Sequence, residues 1–431
     1  MRVRVPRREL KWEIPVNRVK FNNRKAGRMH IKRMTEQSVT IYDQSKVYGG
    51  YTLFSPHFTT DVWLIDMKGR IVHHWRMPYP LGSDVRILPN GNQIRIHKTL
   101  EEPTAFLGTG GKELVEVDWK GNVVWKYEDL YMHHDFCRLE NGNTMLNRYV
   151  LIPDEIAAKV KGGLPGTEFK DGMWGAAFQE ITPDGKVVWE WLGYEHMDLE
   201  IDVHCALERR SIWGYVNGLD VFPNGDIVAS FRYLNNLIII DKQTGAIKWR
   251  WGTWVLGHQH NPTVLPNGNI LVFDNGFHRR VQDELEPTRR TEAYSRAIEV
   301  NPKTNEIVWE YKDECLPDFH SAICGSAERL PNGNTLICES TKGRIFEVTP
   351  DSEIVWEFVN PFYEYKETLG LSNLVFRAHR YGCDYPGLKG RDLNPDRFKW
   401  ELMEKGKPGT EESHISEREK ALRKRLGHLG Y

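Results

Sequence analysis

No apolar stretch in this 431-residue chain approaches the eighteen or so residues of a membrane span. The N-terminus, MetArgValArgValProArgArg, lacks the apolar core of a secretory signal. Its arginines resemble a transit peptide, but Glu9, Glu13 and the early proline argue against one. Cysteine is scarce. Cys137, Cys205, Cys315, Cys324, Cys338 and Cys383 are scattered without CxxC spacing. That pattern looks like reduced thiols in a cytoplasmic protein and not a disulfide frame or zinc cage. With a formal net charge of −1, nothing draws the whole chain toward nucleic acid. No HExxH spacing occurs. GlyThrGlyGly (108–111) is not followed by helix signals, so it reads as a loop and not as a nucleotide site.

What the chain has is a two-part phrase recurring about every fifty to sixty residues. One half is a turn followed by an apolar run ending in Trp, at Trp75, Trp125, Trp189, Trp249, Trp309 and Trp356. The other is an Asn-Gly hairpin turn, at 90–91, 141–142, 224–225, 267–268 and 332–333. Asn-Gly tolerates positive φ, which a two-residue type I′ turn needs. A preceding Pro marks the strand end. Paired short strands at this period predict an all-β propeller. One Trp per repeat is expected to glue each sheet to the next.

The count predicts six blades over residues 46–385. Six Trp hairpins are separated by only five Asn-Gly hairpins, so the sixth must be assembled from the chain ends. TyrThrLeuPheSer (51–55) pairing with LeuValPheArgAlaHisArgTyr (374–381) closes the ring and removes two sheet edges. Residues 1–45 form an N-terminal extension whose first 33 residues hold twelve Arg or Lys against two Glu. It reads as a solvated or partner-binding arm. Residues 386–431 form a tail, with a charged helix expected over Ser416–Gly427.

Hairpin register gathers polar residues at one mouth of the channel. Eight positions before each turn Gly stand Ser83, His134, Asn217, His260 and Gly325. Their predicted cross-strand partners are Lys98, Tyr149, Arg232, Asn275 and Ser340. His97, Arg148, Asp274 and Glu339 follow the Gly by six residues. His133, His278 and Arg279 are close in sequence; His320 precedes the fifth turn and His379 lies on the closing strand. Imidazoles and guanidiniums converging on a cavity suit an anion or a metal.

At HisHisAspPhe (133–136), GlnHisAsnPro (259–262), PheAspAsnGly (273–276) with Arg279, and PheArgAlaHisArgTyr (376–381), the chain resembles the arylsulfotransferase-like propellers, which act without PAPS. The resemblance covers most of residues 50–390. It implies a six-bladed ring whose central histidines transfer a sulfuryl group from an aryl sulfate to a phenol through a sulfated His. By motif, His134 and His260 fall at the sulfate-binding histidines and Arg279 at an Arg. The segment matching the family's nucleophile, AsnThrLeuIleCysGluSerThrLysGlyArgIlePhe (334–346), contains no His.

These readings give His134, His260, His379 and His320 as candidate catalytic residues. Arg279, Asn275, Arg232, Arg148 and His97 are candidate contacts to a small anionic or phenolic substrate. The favoured reaction requires no cofactor. Two alternatives stay open. In one, His134, His260, His320 and His379 hold a divalent metal for a hydrolase, lyase or oxidoreductase. In the other, the ring is a non-enzymatic scaffold. Homo-oligomerisation also stays open. The inserts Val150–Gly175, Leu192–Tyr215 and Gly276–Tyr294 are of lid or specificity-loop size, the second carrying His196, Asp198, Glu200, Asp202 and His204.

Overall fold

The computed structural model describes residues 38–57, 59–98, 110–279, 293–366 and 370–398. Each blade is an antiparallel sheet whose first strand contacts the first strands of the blades on either side, around a closed circle. The first strands are Val375–Gly382, Leu81–Ile87, Met132–Arg138, Val216–Val221, His260–Val264 and Ser326–Arg329. The fold is a six-bladed β-propeller. Closure uses the two chain ends as expected: Tyr51 pairs with Tyr381 and Leu53 with His379. The strand Val39–Tyr42, from within the expected extension, adds a fifth strand outside Ile354–Val359 in the last blade.

The turns depart from the type I′ expectation. Leu139 N–H donates to Asn143 O at 2.8 Å, and Gly142 N–H donates back to Leu139 O at 2.9 Å. The loop therefore holds three residues, with Gly142 at φ 86°. The same pair of bonds recurs at Leu88, Phe222, Leu265 and Leu330. This is a type I turn closed by a left-handed glycine, which shifts the ladder by one residue. Cys137 consequently faces Met145, and Phe136 faces Leu146.

The repeated tryptophans close the ring through directed bonds. Each indole N–H on a fourth strand donates to the next blade: Trp75 to Asp118 O, Trp125 to Pro183 O, Trp189 to Lys242 O, Trp249 to Asn305 Oδ1, Trp309 to Pro350 O and Trp356 to Met67 O. Only Trp75 and Trp356 are fully buried. For the other four, the bond to the neighbouring turn adds direction to a smaller apolar contribution.

After the closing strand, Tyr385 donates its hydroxyl to Ile87 O at 2.7 Å, and Leu388 packs beside Val85 and Ile87. Residues 1–33 and the helix expected over Ser416–Gly427 lie outside the described residues. Among the described residues, no helix is long and apolar enough to cross a membrane.

Candidate active site

Near the axis the ladder breaks on four neighbouring blades. His134, Tyr215, Asn261 and Cys324 adopt positive φ of 55°, 46°, 51° and 55°. Register shifts accompany these bends in the third, fourth and fifth blades. Left-handed backbone costs little for Asn and His but more for Tyr and Cys, and such strain is held where surrounding structure over-determines it. The bends restore polar side chains to the mouth after the turns have shifted the register.

His260 is the best-defined group there. Its Nδ1 lies 2.7 Å from Asn275 Oδ1. The Asn275 amide is fixed because Nδ2 donates to Ser321 O and to Cys324 O, both at 2.7 Å. The oxygen must then face His260, so Nδ1 carries the proton and Nε2 the lone pair. Nε2 has no hydrogen-bond partner among the described residues. Burial, then the Arg232 charge, hold the His260 pKa well below its usual value, so the ring is neutral.

His134 is also buried and neutral. Burial is the main cause, followed by the charges of His133, His260, Arg377 and Arg232. Its Nδ1 meets His133 Nδ1 at 2.7 Å, so the two rings must adopt complementary tautomers. His133 stacks on Tyr149, while His134 meets Tyr215 edge-on with centroids 5.0 Å apart.

The charges of two guanidiniums act on both rings. Arg232 donates to Glu208 Oε1 at 3.1 Å and lies over the Tyr233 ring at 5.1 Å. Arg377, on the closing strand, crosses the axis. Its Nη1 reaches Asp135 at 2.9 Å and Asp84 at 3.3 Å, and its Nη2 reaches Asn217 O at 3.2 Å. One side chain of the first blade thereby holds the second, third and fourth blades and floors the mouth. Sequence reasoning passed over Arg377 although it lies in PheArgAlaHisArgTyr. The period-two rule, which puts it on the same face as His379, was the available signal.

Most of the remaining candidates are engaged by other side chains. His379 is clamped between Asp84 (2.9 Å) and Glu328 (3.1 Å). Burial, the largest single influence, opposes its charge, but Asp84 and Glu328 together outweigh it and raise the pKa to about 9. A protonated ring with both nitrogens engaged is no nucleophile. Arg279 donates to Asp274 (2.9 Å) and Tyr294 O (3.1 Å). Arg148 pairs with Asp129, and His97 with Glu113 at 3.0 Å. Neither joins the His134–His260 pair. His320 is half-buried, with Nε2 unpartnered and its pKa lowered mainly by burial. Its neighbour Ser321 supplies one carbonyl that fixes Asn275. Asn275 itself, expected at the substrate, is committed to protein groups. Among the described residues, the metal-spaced groups of His, Cys, Asp and Glu do not include the four histidines of the alternative reading.

Residues 101–361, more than half of the chain, match the family model described as arylsulfotransferase (ASST). The chain belongs to the arylsulfotransferase family. Membership in that family supports chemistry of the sulfuryl-transfer type in general. The chain is 31% identical over 94 residues to the arylsulfate sulfotransferase AssT of Escherichia coli O6:H1 (strain CFT073). That match covers 21% of this chain and 15% of AssT. Among solved structures, a Bacteroides caccae protein of unknown function is similar at 12% identity and TM-score 0.48, covering 77% of this chain and 98% of that one. A streptogramin B lyase is similar at 12% identity and TM-score 0.42, covering 79% and 92%.

Proposed function

We propose that this member of the family transfers a sulfuryl group between small aryl or phenolic compounds, with His260 Nε2 as the transient acceptor. The observation that carries the reading is the Asn275 amide, which fixes His260 as a neutral ring with its lone pair on Nε2. A neutral imidazole is a competent nucleophile near pH 7.

In the first half-reaction the Nε2 lone pair attacks sulfur. The aryl O–S bond breaks and its electron pair leaves on the phenolate. The sulfo-imidazolium keeps its Nδ1–H on Asn275. In the second, an acceptor phenol oxygen attacks sulfur, the N–S pair returns to Nε2, and the acceptor's proton passes through solvent to the released phenolate. Arg232 and Arg377 stabilise charge on the sulfuryl oxygens from fixed, buried positions, as preorganised donors do in phosphoryl transfer. His134 bounds the same mouth.

Incubation with 4-nitrophenyl sulfate and a phenol should release 4-nitrophenolate, and His260→Asn should abolish release. Unchanged turnover in His260→Asn, or no turnover across a broad donor panel, would reject the reading.

A further inference from the structure

A second cluster lies beside the mouth, on elements the sulfuryl reading does not use. Cys205 sits on His204–Arg209, a strand of the insert between the third and fourth blades. His258 and His278 flank the first hairpin of the fifth blade. One ligand atom from each lies within 4.8 Å of the other two. Cys205 Sγ is 3.8 Å from His278 Nδ1. Glu208, from the same strand as Cys205, places a carboxylate oxygen 3.1 Å from His258 Nδ1 and 3.9 Å from His278 Nδ1.

Three observations point to a ligand and not to mere packing. His258 is completely buried; its Nδ1 meets only Glu208, and among the described residues its Nε2 has no hydrogen-bond partner. Buried imidazole nitrogens are ordinarily paired, so this ring is missing a partner. His258 and His278 both hold left-handed backbone, at φ 56° and 57°. Such conformations collect at functional sites when neighbouring bonds enforce them. Here Asn235 Oδ1 accepts the His258 N–H at 2.9 Å, and Asp274 accepts the Gly257 N–H at 2.8 Å. Finally, adjacent ligands of a tetrahedral zinc lie about 3.3–3.8 Å apart, given its Zn–N and Zn–S lengths. The Cys205–His278 pair already meets that spacing, and the full set needs contraction of roughly an ångström.

We infer that Cys205, His258 and His278 bind a borderline-soft divalent transition metal, zinc above all, with Glu208 as the fourth ligand. The donor set of one thiolate, two imidazoles and one carboxylate suits zinc and not calcium or magnesium, which take oxygen ligands. Two anionic ligands neutralise the ion, so the filled site adds no net positive charge beside Arg232. The bound ion would pin the insert strand to the rim of the mouth. Because Glu208 also accepts from Arg232, the metal and that guanidinium share one carboxylate. The zinc cage that cysteine spacing alone argued against is thus built from distant segments. This inference is independent of the sulfuryl reading.

The test uses full-length protein purified without a metal-affinity tag or chelator. Elemental analysis should find about one zinc per chain. Cobalt(II) added to metal-stripped protein should give a thiolate-to-cobalt charge-transfer band and the intense visible bands of a tetrahedral site. Cys205→Ser should abolish the charge-transfer band, and His258→Asn should weaken metal affinity at least about tenfold. His134→Asn, outside the cluster, should leave both signals unchanged. The inference is overturned if cobalt gives no charge-transfer band with the unaltered protein, or if the band persists in Cys205→Ser.

Discussion

His260 and Asn275 are joined Nδ1 to Oδ1 at 2.7 Å, from the first strand of the fifth blade to the end of its second. Asn275 can turn only one atom to the ring, because its Nδ2 is spent on two carbonyls. A side-chain amide thus decides which imidazole nitrogen carries the lone pair.

Asn275→Leu removes that decision and leaves the ring free to change tautomer. Turnover of 4-nitrophenyl sulfate should fall about 100-fold or more, the scale of a lost positioning or proton-holding group. The carbonyls of Ser321 and Cys324 also lose their donor, at about 1–3 kcal/mol in a urea melt. Asn275→Asp keeps an acceptor for Nδ1–H and should retain more activity than Asn275→Leu at equal stability.

Arg377 is the only cation bonded to both Asp84 and Asp135 besides Arg86 among the described residues. Arg377→Met leaves the fully buried Asp84 to Arg86 and His379, and the fully buried Asp135 to Arg86 alone. Removing one partner of a buried ionic network costs about 3–5 kcal/mol. A matching drop in chemical-denaturation free energy is expected, and a loss below 1 kcal/mol would show that the floor does not hold the blades.

His379 gives the fold a pH dependence of defined sign. Its folded pKa, about 9, lies above the ordinary 6.5. Its contribution to stability is therefore fully present below about pH 6.5 and is lost as pH rises through 9. Urea midpoints should fall between pH 6.5 and 9.5, by the order of 2 kcal/mol once partial exposure of the ring is allowed for. His379→Gln should flatten that segment of the curve.

The belt of indoles is tested one blade at a time. Trp189→Phe keeps most of the apolar contact but loses the bond to Lys242 O, at about 1 kcal/mol. Trp356→Ala, which empties a fully buried position, should cost about 3–5 kcal/mol by thermal or urea unfolding.

Blade number and ring closure were legible because their signals are local: an Asn-Gly turn, a Trp at fixed offset, and unmatched strands at each end. Register was harder. A two-residue and a three-residue loop share the Asn-Gly signature, and only the backbone reveals which forms. The one-residue shift would have turned His134 and His260 outward, had bends at His134 and Asn261 not compensated. His97 and Arg148 were grouped with the mouth by spacing. Arg148 instead pairs with Asp129, and His97, its pKa lowered to about 3 by burial, meets Glu113 as a neutral ring, which spacing from the turn cannot reveal. Arg377 and the Cys205–His258–His278 cluster depend on contacts between segments far apart in the chain. No local pattern encodes those partners, and only ring geometry supplies them.

The most direct test of the account is to trap the intermediate. The protein is mixed with an aryl sulfate without acceptor, quenched at alkaline pH where sulfo-histidine survives, digested, and its peptides sequenced by mass spectrometry. The account predicts a sulfuryl group on His260, absent from His260→Asn and discharged by added phenol. A sulfuryl group on His320 or another residue, with His260 unmodified during active turnover, would contradict it.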